Sequence, residues 1–196
     1  MRIIRAAEFR EQPWKNGGGT TIEIAAFPPG SGLDSFDWRI SMARVERPSP
    51  FSLFPGVDRT IAVLEGAGLA LHIKDRGIVR LNRASPAYSF CGDLAVESTL
   101  AAGPVLDLNV MSRRGCWRHS LFHVTAISAF RLVRLGFVTL ALIRGAPARL
   151  GAEAEELRDG DALLLNERAP RNSVDFVFDG TADIYIVDLW PLPAGA

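Results

Sequence analysis

Ala62-Val63-Leu64-Glu65-Gly66, followed after Ala67 by Gly68-Leu69-Ala70-Leu71-His72-Ile73, reads as a strand, a tight glycine turn and a second strand. Leu157-Arg158-Asp159-Gly160-Asp161-Ala162-Leu163-Leu164-Leu165 has the same form in the second half, a polar glycine-containing turn that feeds a buried strand. Between and around these units, 12 prolines and 18 glycines cut the chain into short apolar runs. Period-two alternation then places twelve strands, the first near Thr20–Phe27 and the last near Ile184–Trp190. The one helical signal, Ala6–Glu11, is long enough for a turn or two. An all-β chain is expected, and turn-linked strands of this kind suit a jelly-roll barrel.

The chain has 196 residues, 48% of them hydrophobic, which suffices for a sizeable core. Its 22 basic and 22 acidic residues balance to a formal net charge of +0, leaving no surplus to attract nucleic acid or an anionic membrane. A small molecule or another protein is the expected partner. No apolar stretch approaches the roughly 18 residues of a spanning helix, and the opening MRIIRAAEFREQ lacks the apolar run of a signal peptide, so a cytoplasmic protein is expected. Cys91 and Cys116 are the only cysteines and form no CxxC; two reduced, buried thiols are expected. Between Asp107 and Glu153 there is no acid but seven arginines, expected to be solvated faces paired with Glu153, Glu155, Glu156, Asp159 and Asp161, or else an anion-binding or subunit-contact surface.

Four places carry candidate chemistry. In Pro13-Trp14-Lys15-Asn16-Gly17-Gly18-Gly19-Thr20, the glycine run is either a flexible hairpin turn or a nest of N–H groups for an anion, with one of only two lysines beside it. Glu23, on the strand that follows, is placed to meet Lys15 or to face solvent. In Trp38-Arg39-Ile40-Ser41-Met42-Ala43, alternation puts Arg39, Ser41 and Ala43 on one face, which is either solvated or a polar lumen. Asp107-Leu108-Asn109-Val110-Met111 repeats the arrangement, aligning Asp107, Asn109 and Met111. In Pro55-Gly56-Val57-Asp58-Arg59-Thr60, a turn delivers Asp58 and Arg59 to the head of a strand on opposite faces, so that one of them faces inward. His119 and His123, four apart on a strand, lie about 13 Å apart, too far to share an ion. No metal site or cofactor is therefore expected.

The blocks PWKNGGGTTIEIA, FDWRISMARVERPSPFSLFPGVDRTIAVLEG and DLNVMSRR, spread over residues 13–114, resemble the HutD family, relatives of Ves in the cupin superfamily. The resemblance implies two tandem cupin-like jelly-roll barrels, a bicupin, with residues 1–112 as the first barrel and 113–196 as the second. It also implies a link to histidine utilisation, tempered by binding an intermediate such as urocanate or N-formylglutamate. Laid over this sequence with its last glycine on Gly66, the cupin metal pattern puts Arg59 at the glutamate ligand and Ser52–Pro55 at the histidines. That overlay implies a metal-free pocket in which a guanidinium takes a carboxylate.

The expected function is thus non-catalytic binding of a small carboxylated metabolite. Arg59 and Arg39 would hold carboxylate, Lys15 would add a point charge with Asn16 as a further ligand-binding residue, Ser41 and Asn109 would orient amide or formyl groups, and Glu23 or Asp58 would accept donor hydrogens or hold the cations in place. Two alternatives stand beside it: a metal-independent hydrolase or isomerase with Glu23 or Asp58 as base, and a protein-interaction module. Barrel edges that can pair across subunits leave room for a homodimer.

Overall fold

The computed structural model describes residues 1–14, 19–151 and 155–193. The chain divides into two compact units: Arg10–Arg118 with Leu192–Ala196, and Met1–Phe9 with His119–Pro191. Strands make up nearly all the regular structure; the Ala6–Glu11 stretch supplies one 3-10 turn, Ala6–Glu8, before Arg10–Pro13 goes on as a strand. No helix among the described residues is long and apolar enough to cross a membrane.

The first unit has a six-stranded antiparallel sheet, ordered Arg10–Pro13, Gly19–Phe27, Trp38–Val45, Val105–Arg113, Val57–Glu65, Tyr88–Cys91. Its second sheet has four strands, Ser49–Pro50, Val96–Leu100, Leu69–Ile73 and Gly77–Leu81. The Ala62–Ile73 stretch forms the turn that its glycines require. Gly66 and Gly68 sit at φ +93° and +112°, a region that L side chains rarely enter, and a Cβ on Gly68 would run into the Leu81 carbonyl oxygen. The turn carries the chain from the wide sheet to the narrow one. Ile61 and Val63 from one sheet and Leu69, Leu71 and Ile73 from the other form a shared apolar core.

The second unit repeats the scheme. A five-stranded sheet runs Arg2–Ile4, Ala162–Asn166, Val138–Gly145, Ala182–Pro191, Trp117–Ala126, and a four-stranded one runs Ala129–Val133, Ser173–Phe178, Ala148–Leu150, Glu156–Leu157. The core here includes Ile143, Leu163, Leu165, Phe176 and Ile184. The first strand of the chain, Arg2–Ile4, pairs with Ala162–Leu164 and so belongs to this unit.

The structure corrects the expected pair of jelly-roll barrels. The fold is predominantly β-sheet, but among the described residues the four sheets are open ladders and none closes on itself. Closure requires the two outer strands of a sheet to pair. In the wide sheet of the first unit those strands, Arg10–Pro13 and Tyr88–Cys91, each have one neighbour among the described residues. Two further expectations change. Cys116 is exposed and Cys91 half-buried, both as free thiols. The second-half arginines do pair with acids, but mostly with others than foreseen: Arg131 with Asp175, Arg149 with Asp179, and Arg144 with Asp159.

Candidate functional site

A cavity of about 460 Å³ lies in the first unit, against the wide sheet. Its polar wall follows from alternation and register. Arg39, Ser41 and Ala43 share one face of their strand, as do Asp107, Asn109 and Met111 on the next. Pairing sets Asn109 opposite Ser41, Asp107 opposite Ala43, and Met111 between Arg39 on one side and Arg59 on the other. Residues Pro50, Phe51 and Phe54, together with Trp14 and Leu33, add the apolar walls, and Ser52 lies among them.

Arg59 is 5% exposed. Its Nη1 donates to the Ser52 carbonyl oxygen at 3.1 Å, while its Nε has no partner. Three rings box the guanidinium: Phe51, Phe54 and Phe90 have centroids 5.1, 5.4 and 5.1 Å from Cζ. Burial pulls its pKa down to about 10, with Asp107 opposing the shift and Arg39 adding to it, so the group stays cationic at neutral pH. Arg39 is already engaged. Its Nε donates to Glu23 Oε2 at 2.8 Å and its Nη1 to Ser41 Oγ at 3.3 Å.

Asp107 is 0% exposed, and neither carboxyl oxygen has a hydrogen-bond partner among the described residues. Burial pushes its pKa up to about 7, against the pull of the Arg59 charge. Asn109 Oδ1, two residues along on the same face, also lacks a partner. The wall therefore offers a buried cation with a free donor, and close by a set of free acceptors, attracted to one another but not bonded.

Of the residues singled out in the sequence, Arg39, Ser41, Arg59 and Asn109 line the cavity. Glu23 reaches it through Arg39. Asp58, on the opposite face of its strand from Arg59, has a 47% exposed side chain and pairs with Arg114 at 2.9 Å. Lys15 and Asn16 lie outside the described residues. Two features escaped sequence reasoning. Asp107 was aligned with Asn109 by alternation, but its isolation depends on burial. The aromatic box draws Phe51 and Phe54 from the Pro-Gly turn segment and Phe90 from across the strand pair, where it sits opposite Arg59.

The metal centre of the cupin pattern does not fit this donor set. No histidine lines the cavity, and among the described lining residues the one acid, Asp107, lies within the field of the Arg59 guanidinium. Among the described residues no group of three His, Cys, Asp or Glu side chains is placed to hold an ion.

The HutD family model matches residues 6–186. Protein Ves of Citrobacter koseri is 41% identical over 111 residues, 55% of this chain and 56% of that protein; the chain spans about half the length of the curated relatives it matches. A conserved protein of unknown function from Pseudomonas aeruginosa PAO1 superposes with a TM-score of 0.86 at 30% identity, covering 96% of this chain and 97% of that one. HutD from Pseudomonas fluorescens SBW25, in a formate condition, gives a TM-score of 0.81 at 27% identity over 97% and 98% of the two chains. With a match from residue 6 to residue 186 and like folds over nearly the full length, the chain belongs to the HutD/Ves family, within the cupin superfamily.

Proposed function

We propose that this protein binds a small carboxylated metabolite without converting it, and that it thereby tempers histidine utilisation, the setting implied by its family. The observation that carries the reading is Arg59: a cation 5% exposed, boxed by aromatic rings, with Nε unpartnered in a cavity of about 460 Å³. A guanidinium held this way is preorganised for a carboxylate, and the surrounding low polarity strengthens the bond. Ser41 and Asn109 add neutral hydrogen-bonding groups at the same wall, and Glu23 fixes Arg39 beside them. Urocanate and N-formylglutamate are the first ligands to try, since each joins a carboxylate to a polar nitrogen group.

The test is calorimetric titration with urocanate, formiminoglutamate, N-formylglutamate and glutamate, each followed for chemical change. Saturable binding without conversion is expected for at least one. Arg59→Ala should weaken it about 100-fold, the loss typical of removing one member of a buried charged pair. Binding unchanged in the variant would overturn the assignment.

A second reading, a metal-independent enzyme, draws on Asp107, because a carboxyl that titrates at about 7 suits proton transfer at neutral pH. Conversion of any of the four compounds at a catalytic ratio of protein would favour it.

A further inference from the structure

The carboxyl group of Asp107 is the least explained feature of the cavity. It sits on an inner strand of the wide sheet, lines the cavity, is 0% exposed, and has two oxygens with no hydrogen-bond partner. A buried polar group left unsatisfied is costly, and fold-stabilising acids normally accept several bonds. Arg59 is near enough to feel the charge but is bonded elsewhere, to the Ser52 carbonyl and the aromatic box. Asn109 Oδ1 adds a third free acceptor on the same face. Three acceptors side by side call for a group that only donates. An N–H meets that need, whereas a hydroxyl would turn its own lone pairs toward them.

We propose that Asp107 is the specificity-determining acceptor of this pocket: it takes an N–H of the bound acid while Arg59 takes its carboxylate, so the site selects N–H-bearing acids over acids of equal size that lack the donor. The proposal rests on reading the cavity as a carboxylate site. A plain carboxylate drawn to Arg59 would bring a second negative charge toward Asp107, with Arg39 already neutralised by Glu23. An acid with an adjacent N–H offsets that repulsion with a charge-assisted bond. Among the described residues the other charged groups lining the cavity are Arg59 and Arg39, the latter paired with Glu23; Ser41 and Asn109 are neutral.

The experiment uses two matched probe pairs on the full chain, titrated calorimetrically at pH 8. N-formylglutamate is compared with the ester in which oxygen replaces its N–H, and urocanate with furylacrylate, whose ring has no nitrogen. At least one N–H member is expected to bind about 10- to 100-fold tighter than its isostere. Asp107→Asn, checked for folding by its thermal transition, should bring that ratio to within about threefold, since a carboxamide presents donor and acceptor alike. Equal affinities within each pair, or preference for the isostere, would overturn the role of Asp107 while leaving a carboxylate site intact. An undiminished ratio in folded Asp107→Asn would do the same. Binding of none of the four probes would overturn the carboxylate reading itself, and the inference with it.

Discussion

In the unit formed by Met1–Phe9 and His119–Pro191, Asp161 is nearly sealed from solvent, yet it accepts from Arg5 Nη1 at 2.8 Å, from the Ala6 N–H at 2.9 Å and from the Arg158 N–H at 3.0 Å. Asp188 in the same unit accepts from the Gly136 N–H at 3.0 Å and from the Thr139 hydroxyl. Asp107, in the other unit, is as deeply buried and accepts from no group among the described residues. The pKa directions follow the bonding. Burial pushes Asp161 up, but the N–H groups of Arg158 and Ala6 and the Arg5 guanidinium together bring it below the ordinary value. Burial pushes Asp107 up and nothing bonded to it brings it back. A buried acid whose oxygens are filled by its own chain is a fastening; one beside a cavity whose oxygens have no partner is available to something else.

The contrast can be broken most readily at Asp161. Asp161→Ala strips the partner from two N–H groups and from Arg5, so it should cost about 2–4 kcal/mol of stability in urea unfolding. Because the folded pKa is depressed, the wild-type contribution is present above the unfolded value and lost as pH falls through the folded one. A loss under about 1 kcal/mol at pH 7 would mean that Asp161 is no fastening.

Asp107→Asn should act in the opposite direction. The wild-type carboxyl has its pKa raised to about 7 in the fold, whereas an unfolded aspartate ionises near 4. Stability is therefore full below pH 4 and is lost as pH rises toward 7. The variant escapes that loss: it should be more stable than wild type at pH 8 by about 1–3 kcal/mol, and the two should converge below pH 4. A variant less stable at pH 8 would show that Asp107 is held by bonds after all.

Glu23→Gln tests the neighbouring Arg39. Losing the charge on its 2.8 Å partner should cost about 1 kcal/mol in unfolding experiments. It should also raise carboxylate affinity severalfold in titrations, because the Arg39 charge is no longer neutralised. The smallest effect belongs to Arg131→Ala. The Arg131–Asp175 pair is short, at 2.6 Å, but both side chains are more than half exposed, so no measurable change in melting temperature is expected.

Much of the polar wall was legible residue by residue. Period-two alternation alone groups Arg39 with Ser41 and Asp107 with Asn109, and it sends Asp58 and Arg59 to opposite faces. Alternation does not say which face is enclosed, since on the Trp38–Val45 strand Trp38, Ile40 and Met42 are as buried as Arg39 and Ser41. Nor does it say which strands become neighbours. Met111 lies between Arg39 and Arg59 because Val105–Arg113 inserts between two strands that precede it by dozens of residues. Barrel closure failed to be legible for the same reason: strand patterns record faces, while closure is a property of edges.

By itself the sequence determined a chain of short strands broken by glycine turns, the pairing of polar side chains along single strands, and a family identity carried by the blocks within residues 13–114. These depend on local geometry and on residue identity, both readable along the chain. Only the tertiary structure decided that the sheets stay open, that Arg59 and not Asp58 enters the cavity, and that Asp107 is buried without a partner while Asp161 is bound. Those outcomes depend on register between distant strands and on the exclusion of water, which no stretch of residues holds alone.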